Sequence, residues 1–160
     1  MLTHLPVFPV LVPLLAGIFL LFPVISSNRT RIRSASFFFS LVLLFTTLEL
    51  FLTIQTNGTT IYALGDWQAP YGITLYIDTF SSLLCLLTAF LLTCVQLYSF
   101  GGEDTQGKYY HPLLMFQAMG IIGAFLTGDV FNLFVFFEVL LIASYALVIH
   151  GGGKQKTHAN

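Results

Sequence analysis

The sequence predicts an all-α polytopic membrane protein, with about five transmembrane helices and one short extracytoplasmic β-hairpin. Three observations carry that expectation. Of the 160 residues 56% are hydrophobic and 8% charged, against roughly a quarter charged in an ordinary soluble domain. Apolar runs near the length of about 20 residues that crosses a hydrocarbon core as a helix recur along the chain. All six Lys and Arg residues fall outside those runs.

The first span is expected near residues 5–25, with Pro6 and Pro9 close to its start, where a missing N–H costs little, and Pro13 bending its interior. No Lys or Arg precedes it and it is too long for a signal peptide, so it reads as a retained helix. The second, "ASFFFSLVLLFTTLELFLTIQ", covers 35–55, and the third, "TFSSLLCLLTAFLLTCVQLY", covers 79–98. From Pro112 to His150 the chain is interrupted only by "TGD" at 127–129. That stretch is too long for one span and suits two helices, near 112–127 and 130–149, joined by a tight turn with Asp129 capping the second. These helices form an expected bundle over 1–150, followed by a basic cytoplasmic loop or tail, "GGGKQKTHAN", from 151 to 160.

Between the second and third spans, the β-prone segments "IYALGDW" and "YGITLYID" flank a turn at "QAP" and predict a hairpin. The link "FGGEDTQGKYYH" reads as a polar loop, and "SSNRTRIRS" as another. Arg29, Arg31 and Arg33 lie in the first loop, Lys108 in the third, and Lys154 and Lys156 in the tail, so one side of the membrane holds all six cations. By the positive-inside rule the N-terminus and the hairpin face outward and the C-terminus faces the cytoplasm.

Glu138 is the residue that composition does not explain. It sits eight residues into the last helix, about 12 Å from its start and so near the bilayer midplane. An acid at that depth costs about 2.5 to 3.5 kcal/mol on insertion scales and faces a water-filled path or a partner; it reads as a site that gains and loses a proton or pairs with a cation, the alternative being a protonated glutamate hydrogen-bonded between helices as packing. Its helical face includes Phe134, Val135, Leu141, Ile142 and Tyr145, of which Tyr145 offers a hydroxyl. No span contains a Lys or Arg, so a counter-charge must come from elsewhere. Five other groups are secondary candidates. Glu49 is near the outer end of its helix, Asp78 and Asp129 read chiefly as helix caps, and His111 and His150 read as solvated interfacial side chains at the cytoplasmic side.

Gly120, Gly123 and Ala124 form a small-residue patch for helix packing. Cys85 and Cys94 are about 13 Å apart along one helix, cannot pair, and read as buried packing residues. No nucleophile and base pair, phosphate loop, metal cluster or cofactor motif is present, nor a basic tract for nucleic acid, so enzyme chemistry on the chain itself is not expected.

The stretch "FQAMGIIGAFLTGDVFNLFVFFEVLLIASYALVIHGGG" closely resembles the fourth and fifth helices of the D subunit of Mrp-type (also Mnh or Pha) monovalent cation/proton antiporters. "ALGDWQAPYGITLYIDTFSSLL" and "HLPVFPVLVPLLAG" are similar to that subunit's hairpin, third helix and first helix. More broadly the chain resembles the antiporter-like subunits of respiratory complex I and of membrane hydrogenases, which commonly have Trp where this chain has Phe137. The resemblance implies a bacterial inner-membrane protein that exchanges Na⁺ or K⁺ for protons within a complex of other Mrp subunits and lipid. Glu138 would be its essential carboxylate, paired with a lysine from a later helix. Since family members continue through further helices, the 160 residues read as an N-terminal fragment. A proton-pumping subunit of a complex I-like or hydrogenase complex is the alternative reading, and a truncated chain without transport is a second.

Overall fold

The computed structural model describes residues 4–64, 72–102, 104 and 109–151. A 3-10 turn, Leu5–Val7, leads into helix α1, Phe8–Leu21, followed by the single turn α2, Pro23–Ser26, and the long α3, Arg29–Asn57. Two strands follow, β1 at Thr60–Ala63 and β2 at Thr74–Ile77, and then α4, Thr79–Ser99, α5, Tyr110–Leu126, and α6, Val130–Gly151. Among the described residues three helices are long and apolar enough to cross a membrane, at Arg29–Asn57, Thr79–Ser99 and Val130–Ile149. Two shorter apolar helices, Leu5–Leu21 and Tyr110–Leu126, pack with them.

The helix boundaries differ from the expected ones for local reasons. The first helix stops at Leu21 because Pro23 forces the residue before it, Phe22, into an extended conformation with ψ 132°. Pro13 lies inside a continuous α1 and is buried there. Arg29, Arg31 and Arg33, expected in a loop, occupy the first turns of α3, since Asn28 caps that helix by accepting the N–H groups of Thr30 and Arg31. At 29 residues α3 is about 43 Å long, which exceeds a hydrocarbon core of about 30 Å and leaves room for those arginines beyond it. It ends at Gly58, whose φ of +79° favours a residue without a Cβ.

β1 and β2 pair antiparallel, with Thr60 opposite Ile77 and Ala63 opposite Thr74. The predicted turn at 68–70 lies outside the described residues. The pair does not stand alone: Gly128 N–H donates to Thr74 O at 2.8 Å, and Thr127 forms a bridge with Leu75. The α5–α6 turn therefore docks on β2, while His4 Nδ1 and the Tyr62 hydroxyl, 2.6 Å apart, tie the chain start to β1. The strand-bearing end of the bundle lies opposite the arginine-bearing end, because α3 runs from one to the other.

Packing between α3 and α4 follows a repeat of three and four residues. On α3 it runs through Ser36, Ser40, Leu43, Thr47, Leu50 and Ile54, all buried, and on α4 through Ser82, Cys85, Ala89, Leu92, Gln96 and Ser99, also buried. That spacing is the seam of a left-handed helix pair. Its small and hydroxyl-bearing side chains let the backbones approach, and the hydroxyls donate to carbonyls of their own helix, as Thr47 does to Leu43 O at 2.9 Å. One side-chain bond crosses the seam, from Gln96 Nε2 to Ser36 Oγ at 2.8 Å. Cys85 lies in the seam, whereas Cys94 is exposed and not the buried packing residue expected. Nine residues at 3.6 per turn place it about 180° around the helix from Cys85.

α5 is gripped on both sides through glycine. A Cβ at Gly17 would meet the Phe116 ring at 2.7 Å, joining α1 to α5. One at Gly120 would meet the Leu140 backbone at 2.9 Å and one at Gly123 would collide with the Phe136 ring, so the small-residue patch sets the approach of α6. Gly123→Leu is expected to destabilise the bundle by about 1 to 3 kcal/mol, the usual cost of overpacking. A melting curve of the purified protein in detergent checks this, and an unchanged midpoint would contradict the contact.

Candidate functional site

Glu138 lies near the middle of α6, on its exposed face. Eight residues from the helix start correspond to about 12 Å of a helix about 33 Å long. The buried face of α6, with Asn132 and Ala143, packs on α5. The opposite face carries Phe134, Val135, Phe137, Leu141, Ile142 and Tyr145 around the carboxylate, all exposed. Among the described residues Glu138 has no hydrogen bond or ion pair. Tyr145 shares its face but makes no bond with it, being seven residues, about 10 Å, further along the axis. A carboxylate can bind or release a proton or attract a cation, and here nothing within the described bundle competes for it.

The helix start below Glu138 is tightly built. Asp129 accepts the N–H groups of Phe131 and Asn132 at 3.3 and 3.2 Å, while the Thr127 hydroxyl accepts from Asp129 N and from Asn132 Nδ2. Asn132 is thereby buried with its amide engaged. Asp78 caps α4 reciprocally: its carboxylate accepts Ser81 N–H at 2.7 Å and Ser81 Oγ accepts the Asp78 N–H at 3.0 Å. Those bonds from Ser81 hold the Asp78 carboxyl below the ordinary carboxylate range. Both acids are caps, as their positions suggested. Glu49 is half-buried on α3, now eight residues from the helix end, and only its backbone carbonyl is engaged, by Thr53. His150 belongs to the last turn of α6; its side chain lies outside the described residues, as do Lys108, Lys154 and Lys156.

At the arginine-bearing end the structure assembles a group that the linear reading did not find. Asp104, from the link between α4 and α5, has a side chain only 1% exposed. Arg33 grips it with two bonds, Nε to Oδ2 at 2.5 Å and Nη2 to Oδ1 at 2.6 Å, and Arg29 adds a third from Nη2 at 3.2 Å. His111 Nε2 stands 3.4 Å from Oδ2, and the Arg33 guanidinium lies over the Phe100 ring at 5.4 Å. His111 is 3% exposed and is therefore not the solvated interfacial residue expected from its position. The Arg33 bonds, with weaker help from His111 and Arg29, pull the Asp104 carboxyl down from 3.8 to about 2, against the effect of burial. Sequence offered one signal: an acid within a short polar link whose flanking helices must close on α3.

Because the Asp104 carboxyl is depressed in the folded protein, its stabilising contribution is complete above about pH 4 and is lost as the pH falls through about 2. Asp104→Asn should lower the melting midpoint at neutral pH, leaving the Arg33 charge without its partner. It should also flatten the fall in midpoint between pH 4 and 2. Melting across that range in detergent tests both effects.

No family model matches the chain. Over 92% of its length it is 44% identical to the D subunit of the Na(+)/H(+) antiporter of Bacillus subtilis, of which it covers 30%. Over 99% of its length it is 39% identical to the D subunit of the probable K(+)/H(+) antiporter of Rhizobium meliloti, again covering 30% of that protein. Solved structures of membrane complexes are similar as well. A chain of the Mrp complex from Dietzia sp. superposes with a TM-score of 0.77 at 28% identity, over 90% of this chain and 26% of that one. A chain of the archaeal membrane-bound sulfane sulfur reductase, a respiratory membrane complex, gives a TM-score of 0.80 at 29% identity, over 88% of this chain and 29% of that one. The chain thus spans somewhat under a third of the length of the curated relatives it matches.

Proposed function

We propose that this chain, a homologue of the D subunits of monovalent cation/proton antiporters across nearly all of its own length, contributes to exchange of Na⁺ or K⁺ for protons in a multi-subunit membrane complex. The observation that carries this reading is Glu138, a carboxylate a little over a third of the way along a membrane-length helix, on a face that no described element covers. In hydrocarbon such a group is expensive unless hydrated, protonated or paired. Further helices of the same protein or of its partners cover that face, and a cationic side chain there pairs with Glu138. Bringing that cation close lowers the proton affinity of the acid and withdrawing it raises the affinity, so movement of one ion is linked to movement of the other.

In the same reading all five apolar helices cross the membrane. The two of 17 residues are about 26 Å long, within the accepted range, and local thinning or flanking residues make up the difference. The arginine-bearing end faces the cytoplasm and the strand pair faces outward, which agrees with the positive-inside rule. Protons then enter or leave the Glu138 level between the Asp129 cap on one side and the His150 end of α6 on the other.

Everted vesicles carrying the complete complex provide the test. Glu138→Gln should reduce cation-dependent dissipation of ΔpH to background with the complex still assembled, and Glu138→Asp should retain part of it. Normal exchange in Glu138→Gln refutes the role. The similarity to a chain of a respiratory membrane complex favours one second reading, a pumping subunit powered by redox partners. Flavin or iron–sulfur centres copurifying with the chain would support that reading; their absence alongside cation-dependent exchange supports the antiporter.

A further inference from the structure

We propose that His111, held by Asp104 through Nε2, is a second proton-binding site of this protein, located at the arginine-bearing end of the bundle and distinct from Glu138, and that its occupancy tunes transport to the pH on that side. A carboxylate only accepts hydrogen bonds, so the approach of Nε2 to Asp104 Oδ2 at 3.4 Å places the ring hydrogen on Nε2. The neutral imidazole therefore presents the lone pair of Nδ1. That atom is buried and has no hydrogen-bond partner in the structure, which makes it an open proton acceptor in a side chain only 3% exposed. A carboxylate on the far nitrogen orients the ring and raises its basicity, the arrangement found where histidines serve as bases or ligands.

The other buried side-chain atom without a partner among the described residues is Gln96 Oε1, an acceptor. Gln96 is one helical turn before Phe100, whose ring centroid lies 6.3 Å from that of His111, and its amide nitrogen is already committed to Ser36. Protonation converts Nδ1 from an unpartnered acceptor into a donor.

The surroundings of His111 act on its affinity from both directions. Burial and the charges of Arg33 and Arg29 from α3 oppose the imidazolium, whereas Asp104 from the α4–α5 link favours it. On its own helix the neighbouring Tyr110 ring packs edge-on at 5.4 Å. α4 contributes Gln96 and the adjoining Phe100 but no charge, and α1 has no titratable residue. The side chains of Lys108 and His150 lie outside the described residues.

The direct test is a ¹⁵N-histidine NMR titration of the complete complex in bilayers, with His111→Gln identifying the resonance. His111 should titrate, with a midpoint that moves when its charged neighbours are changed. Asp104→Asn should lower its midpoint by about one unit or more, a tenfold loss of proton affinity. Arg29→Gln, at a side chain 53% exposed and therefore tolerant, should raise it by a smaller amount. A His111 that does not titrate between pH 4 and 9, or a midpoint that Arg29→Gln leaves in place or lowers, overturns the site. In vesicles, His111→Gln with wild-type abundance should shift the pH of half-maximal exchange, and an unmoved profile overturns its part in transport. This second arm rests on the antiporter reading, but the first does not. Absence of cation-dependent exchange in the unmutated complex, with His111 still titrating as stated, would refute that reading and leave the proton site standing.

Discussion

Hydrocarbon gives an apolar side chain little reason to prefer the inside of a protein, and every other feature of this bundle follows from that constraint. Association must come from close packing and from polar groups that have nowhere else to go. The α3–α4 seam meets both needs by turning Ser36, Ser40, Thr47, Ser82 and Gln96 inward and leaving Phe38, Phe45, Leu52, Phe80, Leu87 and Phe90 outside. In a soluble protein that arrangement would be inside out. Here the hydroxyls of Ser40, Thr47 and Ser82 donate to carbonyls one turn back, and Ser36 Oγ accepts from Gln96 across the seam.

The two ends of the bundle are closed by different chemistry. At one end backbone pairing does the work: β1, β2 and the Thr127–Gly128 turn form a small hydrogen-bonded unit from which α4 and α6 both start under carboxylate caps. At the other, charge does it: Asp104 collects two guanidinium groups and an imidazole, and binds the α4–α5 link to α3. A buried carboxylate so engaged is a fixed point, because losing Arg33, which makes two of its bonds, leaves a buried charge poorly compensated. Glu138 is the contrasting case. It stands between the two closed ends on the exposed face of α6, without a hydrogen bond or ion pair among the described residues.

Helix gripping by glycine explains how that face is presented. Gly120 and Gly123 bring α6 against α5 so closely that Leu140 and Phe136 fill the space of missing side chains, and this fixes the rotation of α6. Rotation decides which residues point away from α5. With Phe136 and Leu140 turned inward, Glu138 and Tyr145 must turn outward, since residues two and five positions off lie on the other side of a 3.6-residue turn.

Much of this was legible without coordinates, because it depends on local chemistry. Apolar run length marked the helices, Asp78 and Asp129 declared themselves as caps by preceding those runs, and alternating β-prone segments marked the strand pair. Glu138 stood out because a charge within 20 apolar residues has few bland explanations. The start of α3 was misplaced for an equally local reason: arginines look like loop residues, yet an Asn28 cap lets them extend a helix past the hydrocarbon. What the sequence alone could not decide was which side chains meet across the fold. Asp104 and His111 are seven residues apart and both are some seventy or more from Arg33 and Arg29, so nothing local marks the link as a buried ion cluster. The Ser and Thr seam was hidden too, since a hydrophobic pattern search expects polar residues outside. Composition, spacing and capping belong to the chain; the pairing of distant charges and the facing of a helix belong to packing, which is settled only when all the helices are in place.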